Sequence, residues 1–208
     1  MSKWNKLLQD IRVVPVLVIE DVEKAVPLAK TLCEAGLHVL EITLRTKAAL
    51  PAIKAIKDNV PEAILGVGTV LDHEQIDHAA NHDCQFFVSP GHTPNLVQEA
   101  KQKELPFLFG ANTLSEMMFL REQGFIMQKF FPAELNGGVK LLKAAYSVLP
   151  DVQFCPTGGI SIENAEDYLN LPNVACIGGS WIAPKDLITS GDWDKISKLA
   201  KHAATLGR

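Results

Sequence analysis

Val13-Val14-Pro15-Val16-Leu17-Val18-Ile19 decides the fold. An unbroken apolar, β-branched run of this length reads as a parallel strand buried on both faces, because a half-exposed strand would alternate with polar residues. Residues 21–35 follow, with Val22, Val26, Ala29, Leu32 and Cys33 at helical spacing, and Gly36 ends that helix. Leu37-His38-Val39-Leu40-Glu41-Ile42 is the next strand. The same strand–loop–helix unit then recurs. Further strands are predicted near 63–68, 85–89, 105–109, 126–130, 153–157 and 174–178, and helices near 46–58, 72–81, 93–101, 113–122, 139–148, 161–169 and 192–205. Eight strands alternating with helices, without an antiparallel hairpin signal, predict an α/β fold with a parallel sheet. Over 208 residues each unit averages 26, compact but sufficient for a (β/α)8 TIM barrel. A doubly wound sheet would announce itself with a glycine-rich first turn, and Ile19-Glu20-Asp21 has none. No Pro/Gly/Ser-rich linker divides the chain, so residues 1–208 read as one domain preceded by a short amphipathic N-terminal helix within residues 1–10.

Composition narrows the function classes. The net charge of −4 lacks the basic footprint that nucleic acid requires. No stretch offers the roughly 18–20 apolar residues of a membrane span, and the N-terminus lacks a signal-peptide core; a cytoplasmic protein is expected. Cys33, Cys84, Cys155 and Cys176 form no C-x-x-C pair and none adjoins a histidine, so buried reduced thiols are expected. His78 and His82 have ligand spacing on a probable helix, but their segment is polar enough to be a solvated face. No metal is expected.

In such a barrel the active site lies where strands end and loops begin. Lys129 stands in the strand-like run Phe125-Ile126-Met127-Gln128-Lys129-Phe130-Phe131-Pro132. Lysine is rarely fully buried unless paired or used. An ammonium held away from water gives up its proton more readily, and a free amine attacks carbonyls. The alternative is a stem packed in the strand with its head in solvent. Glu41 comes near the end of the second strand, where a carboxylate without a role is costly to bury; the alternative is an ion pair with Arg45. Arg45 suits a two-pronged grip on a substrate carboxylate, or is an ordinary loop arginine. Thr69 ends the third strand, Ser89-Pro90-Gly91 the fourth, Thr157-Gly158-Gly159 the seventh and Gly178-Gly179-Ser180 the eighth. The two Gly-Gly pairs follow the last two strands, the recurrent phosphate site of this architecture. Glycine lets backbone N–H groups close on an anion, and Ser180 adds a hydroxyl. Gly66-x-Gly68 reads as close backbone packing beside the site rather than a dinucleotide fingerprint.

Nearly end to end, the chain resembles the 2-keto-3-deoxy-6-phosphogluconate (KDPG) and 4-hydroxy-2-oxoglutarate (KHG) aldolases. Leu40-Glu41-Ile42-Thr43-Leu44-Arg45-Thr46, Lys129-Phe130-Phe131-Pro132-Ala133-Glu134 with Asn136-Gly137-Gly138, Cys155-Pro156-Thr157-Gly158-Gly159-Ile160 and Cys176-Ile177-Gly178-Gly179-Ser180-Trp181 carry the resemblance. It implies a cofactor-free class I aldolase, typically trimeric, that cleaves a phosphorylated keto acid to pyruvate and glyceraldehyde 3-phosphate. It further implies 4-hydroxy-2-oxoglutarate as a second substrate, cleaved to pyruvate and glyoxylate. Lys129 would form the imine, Glu41 would act as acid and base, and Arg45 and Thr69 would meet the carboxylate side. Thr157 and Pro90 would line the pocket, and Gly158, Gly159, Gly178, Gly179 and Ser180 would hold the phosphate. Thr157 resembles the gluconate-type enzymes rather than relatives acting on the galactonate isomer. Phe109-Gly110-Ala111-Asn112-Thr113 departs from the family's Pro-Gly-Ile-x-Thr, which predicts an altered pocket wall on the aldehyde side. Beyond the galactonate-type aldolase, the competing readings are a metal-free phosphosugar isomerase and a non-catalytic binding protein on the same barrel.

Overall fold

The computed structural model describes Leu7 and residues 11–207. Apart from Leu7, the expected N-terminal helix lies outside the described residues. The strands are β1 (Val13–Leu17), β2 (Val39–Thr43), β3 (Ile64–Gly68), β4 (Phe86–Val88), β5 (Phe107–Leu108), β6 (Gly110–Ala111), β7 (Met127–Phe130), β8 (Gln153–Pro156) and β9 (Ile177–Gly179). Every strand pairing is parallel. Six strands lie in the order β5-β4-β3-β2-β1-β9, and β6-β7-β8 form a second sheet. The fold is α/β, its parallel strands curled as a half-barrel with helices outside.

Eight strands were expected and nine segments are found among the described residues, because the fifth is interrupted at Phe109. That residue separates β5 from β6, and its carbonyl accepts the Lys129 N–H at 2.8 Å. The Phe109 ring stacks on Phe107 at 4.1 Å and meets Phe125 edge-on at 4.8 Å. At the other seam, bridges Phe154↔Val174 and Thr157↔Gly178 carry β8 onto the β9 segment.

Helix starts follow their chemistry. Asp72, Thr93, Thr113 and Asp192 each cap a helix through a side-chain oxygen, and Thr113 with Glu116 forms a reciprocal capping box. The seventh helix is shorter than predicted, Ala165–Leu169 instead of 161–169. Asn164 explains this: its Oδ1 accepts the Ser161 N–H and its Nδ2 donates to the Gly159 carbonyl, a loop geometry that competes with the helix. A short helix, Lys185–Ser190, was not predicted; it follows Pro184 and stops at Gly191, and six residues are too few to show a period.

Two apolar clusters result from strand alternation. The larger fills the space between strands and helices and includes Leu40, Ile42, Val67, Phe109 and Phe130. The smaller, formed by Val14, Val39, Phe86, Val88, Leu108, Cys155 and Cys176 with Met127 packed against it, lies on the opposite, inner side of the strands. The four cysteines are free thiols. Burial pushes Cys33 up to about 11 and Cys84 up to about 12, and a hydrogen bond with Cys155, then burial, raises Cys176.

Candidate active site

The inner cluster determines which polar residues meet. Glu41 stands two residues beyond Val39, Lys129 two beyond Met127 and Thr157 two beyond Cys155, so each continues the inner side of its strand at the carboxyl end. Lys129 and Glu41 are 5% and 3% exposed, and Lys129 Nζ lies 3.4 Å from Glu41 Oε1. That is long for an N–H···O bond, as catalytic pairs often are before substrate tightens them. Nζ also sits over the Phe131 ring, 5.2 Å from its centroid. The aromatic face offers a cation attraction without a competing acceptor.

The space that Glu41 occupies is made by a glycine. A Cβ on Gly68 would fall 2.2 Å from Glu41 Oε1 and 2.8 Å from both Cδ and Cγ. The carboxylate therefore lies flat against the Gly68 backbone. Gly66, two residues earlier, yields in the same way to the Phe86 ring, at 2.1 Å. The Gly66-x-Gly68 spacing thus admits two neighbouring side chains, the carboxylate of Glu41 and the apolar ring of Phe86. Thr69, next in the chain, has φ +61°, an outlier for a β-branched residue, and such strain collects at functional sites.

The remaining rim residues fall into two groups. Arg45 is exposed and makes no hydrogen bond or ion pair among the described residues. Its loop is pinned by Thr43, donating to Leu17 O at 2.9 Å, and Thr46, donating to Ile19 O at 2.5 Å. An ion pair between Glu41 and Arg45 does not form; Glu41 pairs with Lys129 instead. Pro90 is brought against the wall at β6, where a Cβ on Gly110 would lie 2.0 Å from the Pro90 carbonyl oxygen. Thr157 is buried, and its Oγ1 would lie 2.3 Å from a Cβ on Gly178. Gly158 and Gly159 have φ of +96° and +79°. Their carbonyls are occupied, Gly158 O by Glu134 N–H at 3.1 Å and Gly159 O by Asn164 Nδ2 at 3.1 Å. Neither of their N–H groups meets an acceptor among the described residues. Bound carbonyls with free N–H donors are the polarity an anion site needs. Gly178 and Gly179 are buried at the end of β9, and Ser180 beyond them is exposed.

The expected change in pocket wall is corrected. Phe109 and Ala111 belong to the outer cluster, between strands and helices, because alternation turns them away from Leu108. His78 and His82 form no ligand pair; His82 Nδ1 contacts the His78 carbonyl at 2.7 Å. No group of three or more His, Cys, Asp or Glu residues is arranged to hold a metal among the described residues.

A family model described as KDPG and KHG aldolase matches residues 5–199. The chain belongs to the KDPG and KHG aldolase family. Its relatives include a 2-dehydro-3-deoxy-phosphogluconate aldolase of Pseudoalteromonas atlantica, 49% identical over 97% of this chain and 96% of that one. A KHG/KDPG aldolase of Escherichia coli K12 is 47% identical over 98% and 97%. Among solved structures, the KDPG aldolase of Legionella pneumophila, with pyruvate captured as a covalent carbinolamine, superposes with a TM-score of 0.93 at 40% identity, covering 97% of each chain. As a KDPG/KHG-family member the chain is an aldolase, a carbon–carbon lyase.

Three features of the KDPG/KHG-type site carried no usable signal in the sequence. The fit of Glu41 into Gly68 and a contact between Glu134 and Tyr168 depend on strands and loops far apart in the chain, and the Phe131 ring reaches over Lys129, two residues earlier, only through the turn that follows β7.

Proposed function

We propose that the protein is a class I, imine-forming aldolase that cleaves 2-keto-3-deoxy-6-phosphogluconate to pyruvate and glyceraldehyde 3-phosphate, and 4-hydroxy-2-oxoglutarate to pyruvate and glyoxylate. The observation that carries this reading is the buried Lys129–Glu41 pair at the carboxyl ends of β7 and β2. Lys129 Nζ attacks the C2 ketone to give a carbinolamine, whose loss of water leaves a protonated imine. A base removes the C4 hydroxyl proton, the C3–C4 electron pair moves into the imine, and the aldehyde departs from an enamine. Protonation at C3 and hydrolysis release pyruvate and restore the amine. Glu41 is the group placed to move these protons, a contribution of roughly 10²- to 10⁴-fold.

Arg45 and Thr69 are assigned to the carboxylate side and Thr157 and Pro90 to the pocket wall. The free N–H groups of Gly158 and Gly159 support a phosphate site shared with Gly178, Gly179 and Ser180. The interrupted fifth strand and the bridges at the β8–β9 seam support closure of the two sheets into one (β/α)8 barrel domain spanning residues 1–208. A cytoplasmic homotrimer is part of the same proposal; exposed apolar side chains such as Leu135, 87% exposed, and Met118 are of the kind a self-interface covers. No helix among the described residues is long and apolar enough to cross a membrane.

Borohydride trapping with pyruvate followed by peptide mass spectrometry tests the chemistry. A reduced pyruvyl adduct on Lys129, lost together with turnover in Lys129→Ala, is expected. A folded protein with no adduct, or an active Lys129→Ala variant, overturns it.

A further inference from the structure

We infer that Tyr168 and Glu134 form a clamp that holds the Gly158–Gly159 loop in its anion-receiving shape, making Tyr168 a positioning residue specific to phosphorylated substrates. The inference rests on the phosphate site proposed above.

Tyr168 is fully buried on the short helix Ala165–Leu169, and its hydroxyl donates to Glu134 Oε1. Burial first, then this bond and the charge of Glu134, push the tyrosine hydroxyl well above its ordinary value, so it remains a donor throughout the working range. Glu134 touches the glycine loop twice. Its N–H donates to Gly158 O, and its side chain lies where Gly159 has no Cβ, with Cγ 2.6 Å from that position. Gly138 makes room from the other side, where an added Cβ would fall 2.8 Å from the Tyr168 hydroxyl. Asn164, one residue before the same helix, takes the Gly159 carbonyl. The Ala165–Leu169 helix and its N-cap therefore hold two successive carbonyls of the loop, Gly159 O directly through Asn164 and Gly158 O through Glu134 by way of Tyr168.

The arrangement answers an electrostatic problem. Glu134 is an exposed carboxylate beside N–H groups that would receive a phosphate. Untethered, it would compete for those donors or repel the incoming anion. Bound to Tyr168, it is held flat against Gly159 and its oxygen is engaged elsewhere. The polar and ring partners of Lys129 are Glu41 and Phe131, not Tyr168 or Glu134, so the effect is expected at the phosphate end.

Steady-state kinetics of Tyr168→Phe on both substrates test this. KM for the phosphorylated substrate should rise about tenfold with kcat unchanged, the factor that follows from about 1.4 kcal/mol. Inhibition by inorganic phosphate should weaken in parallel, while kcat/KM for unphosphorylated 4-hydroxy-2-oxoglutarate stays at the wild-type value. Should the buried substitution not fold, Glu134→Ala at the exposed partner reads the same split, and Glu134→Gln, which retains an accepting oxygen, should restore loop geometry and KM. Equal losses on both substrates, or no change on either, overturn the clamp. If the wild-type enzyme neither prefers the phosphorylated substrate nor is inhibited by phosphate, the phosphate site itself falls.

Discussion

Gly68→Ala isolates the part of the site that a single methyl group can move. The new Cβ would sit 2.2 Å from Glu41 Oε1 and 2.8 Å from both Cδ and Cγ, so no rotation of the carboxylate alone clears it. To regain ordinary contact near 3.4 Å the whole group must retreat by about 1 Å. Its separation from Lys129 Nζ is 3.4 Å, already at the limit of a useful contact. A displacement of this size costs about 10²-fold in a reaction whose catalytic group is misplaced. Pyruvate release, followed with a coupled dehydrogenase, should therefore show kcat reduced about 10²-fold, with KM for the phosphorylated substrate nearly unchanged. Gly66→Ala is the matched control, since its Cβ would strike the Phe86 ring at 2.1 Å in the inner cluster. Overpacking of that kind costs about 1–3 kcal/mol, or several degrees of Tm at about 2–4 °C per kcal/mol for a chain of this length, with kcat little altered. A folded Gly68→Ala enzyme with wild-type kcat would refute the argument that the position of Glu41 over Gly68 governs turnover.

Phe109→Ala should lower stability by about 3–5 kcal/mol in denaturant unfolding while leaving KM for both substrates unchanged, because the ring is buried in the outer cluster; altered substrate selectivity would return Phe109 to the pocket wall. Glu116 bears on acid stability. Burial alone raises its carboxyl, but N–H groups of Asn112 and Thr113 at 2.9 and 3.0 Å outweigh it and hold the group below 4.5. The folded state then binds fewer protons than the unfolded one, so this stabilisation is full above 4.5 and fades as pH falls through the depressed value. Glu116→Gln should flatten that part of a Tm–pH profile, and an unchanged acid slope would show that the capping carboxylate does not contribute.

Periodicity and chemistry along the chain determined the sequence of strands and helices, because a parallel strand buried on both sides must be apolar throughout and a helix must repeat its apolar face. They also singled out Lys129 and Glu41, since a charge within such a strand is too costly to be idle. The loop after β8 was legible through Gly158 and Gly159, whose φ values few other residues adopt. Boundaries were less so: Asn164 shortens a helix through side-chain bonds that periodicity does not register. Which polar groups meet was decided only by tertiary structure. Alternation tells that Phe109 and Leu108 face opposite ways, but not which side is inner, so Phe109 was expected at the pocket and belongs to the outer core. Glu41 had two cationic candidates, Arg45 four residues away and Lys129 eighty-eight away, and the distant one is its partner. The physical reason is register: parallel strands bring residues of equal depth together irrespective of their separation in sequence, and depth is set by packing of the whole sheet.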